Sequence, residues 1–199
     1  MIESLWAQEG RKDFVVAGLY CDYLNQQEQT VTNMMRVIVR QLVDTGDIPE
    51  DLQEAFEAGK RNFGSRGPQL PDLMRILKIT IASLSQVFIC IDALDQCLPK
   101  HLLGLLESLR DILQESPNMR IFLTGRPHLT EDIRRYFSRM VVIPISPKAD
   151  DIRNYLDMRL ERDPEPEAMD DMLRADITRI IVEKASDMCV AVAVFPPHQ

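Results

Sequence analysis

The sequence predicts an α/β protein, a doubly wound parallel sheet, and three observations carry that prediction. Short apolar or β-branched runs alternate with longer stretches of helical period in the order β-α-β-α-β-α-β. One of the runs, "VFICID" at 87–92, is apolar on both faces, as a strand buried inside a parallel sheet must be. No repeat of the solenoid kind interrupts the alternation, and 199 residues suit one domain with a sizeable core.

The first strand is "DFVVAGLY" at 13–20, short, β-branched and aromatic. In the segment that follows, Val31, Met34, Met35, Ile38, Val39 and Leu42 fall on one helical face, with Gly46 at the position of a C-terminal cap. A second helix is expected after Pro49, with Glu50 and Asp51 favouring its positive end, and stopping near Gly59. Glycines, prolines and polar residues make "KRNFGSRGPQLPD" a loop. Pro71 opens the next amphipathic helix, which leads into the strand 87–92. "KHLLGLLESLRDILQES" is a helix expected to turn Leu102, Leu103, Leu106, Leu109 and Leu113 inward. "NMRIFLTGRP" gives a third strand ending at Thr124, "LTEDIRRYF" a short helix and "RMVVIPI" a fourth strand. Two more helices follow, in "KADDIRNYLDMRLER" and "DDMLRADITRIIVEKASDM", separated by the turn or linker "DPEPEA". The final "CVAVAVFPPHQ" alternates with strand period and stops at two prolines.

Composition narrows the function. A net charge of -8, with Lys and Arg scattered among acids, argues against a nucleic-acid partner. No window comes near the roughly 18 uninterrupted apolar residues of a membrane helix, and the N-terminus lacks the order of a secretory signal, so no membrane partner and a cytoplasmic setting are expected. The four cysteines form no CxxC pair and the three histidines lie far apart, which indicates neither a zinc site nor a disulfide framework. Cys90, in mid-strand, reads as a small buried hydrophobe.

Ligands of open parallel sheets meet residues just past the carboxyl ends of the strands. Asp92 and Asp95 stand there after the second strand, and Thr124 and Arg126 after the third. Hard carboxylate oxygens at such a place suit Mg²⁺, directly or through water. The competing reading is that the two acids cap the next helix and that Arg126 is a surface residue flanking a helix.

"FICIDALDQC", then "IFLTGRP" some thirty residues later, then "VVIPISPKADDIRNYL", resemble the Walker B motif, sensor 1 and following strand of NACHT-type signalling NTPases, and in particular the nephrocystin-like N-terminal modules of large, often fungal, STAND receptors. "GLYCDYLNQQEQTVTNMMRVIVRQLV" resembles the strand and helix before Walker B in the same family. The resemblance implies a three-layer sheet of the P-loop NTPase (ASCE) type, ATP or ADP with Mg²⁺ as cofactor, and Asp92, Asp95, Thr124 and Arg126 as cofactor-binding residues. Asp92 and Asp95 would be the metal-associated acids. It further implies protein partners or self-association through the module.

Two departures temper that expectation. No GxxxxGK[ST] occurs, so the backbone cradle and lysine that hold phosphates in the family have no counterpart, and the core is expected to be incomplete at the N-terminus. Where the family commonly has "DALDE", this chain has "DALDQ", which puts Gln96 in place of a carboxylate able to accept a proton. The expectation is a partial NTPase core over 1–147 and a helical extension with an atypical tail over 148–199, without competent ATP hydrolysis and with no catalytic residues assigned. A nucleotide-independent α/β interaction scaffold is the alternative. In the family's sheet order, the Walker A strand lies between strands 119–124 and 140–145. Its absence is expected to leave a gap there, with unpaired apolar strand edges and self-association as the result.

Overall fold

A computed structural model of the chain describes residues 14–44, 67–145, 148–162, 170–184 and 189–196. The elements are β1 (Val15–Tyr20), α1 (Val31–Asp44), α2 (Leu70–Ser83), β2 (Val87–Asp92), α3 (Pro99–Glu115), β3 (Met119–Gly125), α4 (Thr130–Tyr136), β4 (Met140–Ile145), α5 (Ala149–Leu160), α6 (Asp171–Lys184) and β5 (Cys189–Val194). Every strand and helix anticipated within the described residues is present, and the chain is an α/β protein. The C-cap at Gly46, the helix after Pro49, most of the loop at 60–72 and the linker "DPEPEA" lie outside the described residues.

Helices α1, α2 and α3 pack on one face of the sheet. Met34, Met35, Ile38, Val39 and Leu42 of α1 are all buried there, as their helical spacing requires. Leu73, Leu77 and Ile81 of α2 join them, against Ala17, Ile89, Ile91, Ile121 and Leu123 of the strands. In α3 the buried stripe is Leu102, Leu105, Leu106, Leu109, Ile112 and Leu113. Leu103, expected to face inward, is instead 44% exposed. A residue lies 100° around the helix from its neighbour, and the i, i+3, i+4 pattern that starts at Leu102 leaves Leu103 on the flank. Helices α1 and α3 approach so closely at Gly104 that a Cβ there would sit 2.9 Å from Cγ2 of Val31. On the opposite face of the sheet Phe14, Phe88 and Phe122 form a row, with ring centroids 5.6 and 6.0 Å apart.

The sheet order is β1-β2-β3-β5-β4. Strands β1, β2 and β3 pair in parallel. The gap expected between β3 and β4 is not there, because β5 fills it, pairing antiparallel with both. The sheet is therefore mixed, with β4 running in the direction of β1–β3. The tail read from sequence as part of a helical extension ends as an interior strand of the core sheet. Val192 and Val194 turn into the core, each 1% exposed, while Ala191 and Ala193 are buried on the other face. The unpaired edges expected on β3 and β4 are satisfied by this strand, which removes the reason given for self-association. At the far edge, Gln41 of α1 serves Gly18 of β1 in place of a further strand: its Oε1 accepts from Gly18 N and its Nε2 donates to Gly18 O, both at 2.7 Å.

Candidate functional site at the strand ends

Parallel pairing of β2 with β3, in which Ile91 faces Leu123, brings the next residues, Asp92 and Thr124, side by side at the carboxyl ends. The Thr124 hydroxyl donates to Asp92 Oδ1. The same hydroxyl oxygen accepts the backbone N–H of Ala93 at 3.0 Å. Thr124 thus ties together the acid and the first peptide of the turn that follows it.

That turn is unusual. Ala93 adopts the left-handed conformation, φ 56°, ψ 45°, at a cost of about 1–2 kcal/mol for a residue with a Cβ. A single 3₁₀ turn, Leu94–Gln96, follows, closed by Gln96 N to Ala93 O at 2.9 Å and Cys97 N to Leu94 O at 3.1 Å. The reversal directs Asp95 back over the end of β3, where its carboxylate lies 3.3 Å from Arg126 Nε. Gly125 permits the approach: a Cβ there would lie 3.2 Å from Leu129 Cδ1, 3.5 Å from Leu94 Cβ and 3.6 Å from Asp95 N.

The four residues anticipated from sequence are therefore brought together, as two linked pairs, Asp92 with Thr124 and Asp95 with Arg126. Neither acid caps the next helix. Helix α3 starts at Pro99 with Leu98 at its N-cap and no side-chain cap bond, so proline, which lacks an N–H, takes the first turn instead. Arg126 is 67% exposed at its side chain, as a flanking surface arginine would be, yet it is aimed at an acid that is 10% exposed.

Gln96 contributes what a glutamate there could not. Its Nε2 donates to Asp95 Oδ2 at 2.5 Å, and its backbone oxygen accepts from Gln26 Nε2 at 2.6 Å. The Asp95 carboxylate is thus held from two sides, by an amide and a guanidinium. Sequence reading missed Gln26, Ala93 and Gly125, none of which carries a local signal of this role.

Beneath the turn lie Cys21, which follows β1, and Cys97, which follows the 3₁₀ turn. Both are buried free thiols. Their sulfur contact pulls the Cys97 thiol down from its ordinary range, against burial and the Asp95 charge, and pushes Cys21 up, where burial and the neighbouring Asp92 and Asp95 act in the same sense. Cys90, elsewhere in the sheet, is 1% exposed, as expected for a buried hydrophobe, and burial raises its thiol to about 11.

Among the described residues no cluster of three or more His, Cys, Asp or Glu side chains is arranged to hold a metal. Mg²⁺ needs fewer, because it commonly takes one or two carboxylates and completes its octahedron with water and substrate phosphate. Asp92, at a strand end and braced by a hydroxyl, fits that role. Asp95 fits it only if Arg126 and Gln96 release the carboxylate. No helix among the described residues is long and apolar enough to cross a membrane.

The family described as Nephrocystin 3, N-terminal, matches residues 1–126. Among curated proteins no sequence matches the chain. Among solved structures the Walker-type ATPase PABY2304 of Pyrococcus abyssi is similar, at 14% identity with a TM-score of 0.39, over 90% of this chain and 61% of that one. The present chain thus spans less than two thirds of that ATPase.

Proposed function

The chain belongs to the Nephrocystin 3, N-terminal, family, and from that premise we propose that it carries the Walker B and sensor half of a nucleotide-switched NACHT/STAND signalling and oligomerisation module. The observation that carries this reading is the Asp92–Thr124 contact, a carboxylate and a hydroxyl joined at the carboxyl ends of adjacent parallel strands. When bound there with nucleotide, Mg²⁺ would supply charge neutralisation at phosphate oxygens. Asp92 would hold it through oxygen or water. Thr124 orients Asp92 and offers a hydroxyl towards a terminal phosphate. Arg126, paired with Asp95 at 3.3 Å, supplies a cation for which a phosphate would compete with that carboxylate.

Hydrolysis is not part of the proposal. A base must accept a proton from water, and Gln96, which stands where the family commonly has a carboxylate, spends its amide on Asp95. Without a glycine-rich loop and lysine, these residues lack most of the phosphate-directed donors that make nucleotide binding tight. A second reading, an interaction scaffold independent of nucleotide, is favoured by Val141, Ile143 and Ile145 of β4, which are 51%, 44% and 40% exposed. In either case the expected partners are proteins or further copies of the chain.

Titration of the ¹⁵N-labelled chain with Mg·ATP, followed by amide shifts, separates the readings. The half-site reading expects a dissociation constant weaker than about 0.1 mM, which is about -5.5 kcal/mol, with shifts centred on Ala93, Thr124, Gly125 and Arg126 that disappear in Asp92→Asn. Binding in the low micromolar range would refute it. An unchanged spectrum favours the scaffold.

A further inference from the structure

Cys21 and Cys97 are 76 residues apart in sequence, and their sulfurs are 3.0 Å apart in the fold. A disulfide bond is about 2.05 Å long, so roughly one ångström of approach separates the thiols from a covalent link. Both backbones are fixed by hydrogen bonds: Cys21 N donates to Asp92 O at 3.0 Å and Cys97 N to Leu94 O at 3.1 Å. Cys97 belongs to the segment that carries Asp95 and Gln96, and Cys21 to the end of the neighbouring strand β1. A bond between them would fasten that acid-bearing turn to the sheet.

We propose that Cys21 and Cys97 are an oxidation site, a dithiol that closes reversibly to a disulfide and clamps the Asp95 turn to the end of β1. The oxidant class is a small hydroperoxide, and the less deeply buried residue reacts first: Cys97 is 6% exposed and Cys21 1%. The Cys97 sulfur attacks one peroxide oxygen, the O–O bond breaks, and one oxygen leaves as water, giving a sulfenic acid. The Cys21 sulfur then attacks the Cys97 sulfur, the S–O bond breaks, and the second oxygen leaves as water. The two thiols lose two electrons and two protons, and hydrogen peroxide is reduced to two waters. A dithiol reductant reverses the link by exchange. The inference stands on the placement of the two sulfurs and is independent of nucleotide binding.

The test uses the full chain, reduced and then exposed to hydrogen peroxide, capped with N-ethylmaleimide in denaturant so that buried thiols react, and mapped by peptide mass spectrometry. The expected product is a peptide pair joining Cys21 to Cys97, a melting temperature raised by about 5–10 °C, and loss of both on adding dithiothreitol. Cys97→Ser should leave Cys21 fully capped and remove the thermal shift. If that variant fails to fold, mapping of the unsubstituted chain decides alone. Free or separately oxidised Cys21 and Cys97 in the folded chain, or links to Cys90, to Cys189 or to a second chain, would overturn the proposal.

Discussion

If β5 is an interior strand, shortening one of its inward side chains must weaken the whole domain. Val192 is 1% exposed, pairs with Leu123 on one side and Val142 on the other, and belongs to the main core. Val192→Ala removes two buried carbons, a transfer loss of about 1.6 kcal/mol at about 0.8 kcal/mol each. Strands pair on both sides, so the site collapses only in part and a cavity penalty adds to the loss. The expected destabilisation is about 2 kcal/mol. Val141→Ala on β4, at a side chain 51% exposed, is the control and should stay within about 0.5 kcal/mol. Urea denaturation of the two variants and the parent, with a shared m-value, measures the difference. A loss for Val192→Ala no greater than the control would show that β5 does not pack between β3 and β4. The edges of those strands would then be open, and self-association would again be the expectation. With β5 in place, the facing edges of β3 and β4 give no reason for self-association.

Two substitutions test the acid-bearing turn. Ala93→Gly releases the left-handed strain of about 1–2 kcal/mol against a glycine penalty of about 0.5–1 kcal/mol in chain entropy, so a gain of about 0.5–1 kcal/mol is expected in urea melts; a loss would mean Ala93 is not held at positive φ. Gln96→Glu removes the donor to Asp95 and sets two carboxylates side by side. It should cost about 1.5–3 kcal/mol in urea melts near neutral pH. A change within about 0.5 kcal/mol would refute the contact.

Much of the candidate site could be read in the sequence, because strand ends are local facts. The apolar run 87–92 ends at Asp92, and the run 119–125 places Thr124 at the same level of the neighbouring strand once the two pair in parallel. What those side chains do there could not be read. Whether Asp95 caps a helix or meets Arg126 depends on the backbone reversal at Ala93, and alanine gives no signal of a left-handed conformation. The Cys21–Cys97 contact is equally invisible, since chain separation carries no information about which strand ends lie together.

The sequence by itself determined the order of strands and helices, because periodicity and turn residues act over a few residues. It determined the buried stripe of α1 for the same reason, and most of that of α3, where Leu103 was off by one position around the helix; the buried residues of α2 came from the structure. Only the tertiary structure decided the place and direction of β5. A run of small and β-branched residues pairs equally well on either side and in either sense, and its choice was made by the unpaired N–H and C=O groups of β3 and β4. Those groups are far from it in sequence, and they meet it only when the sheet is built.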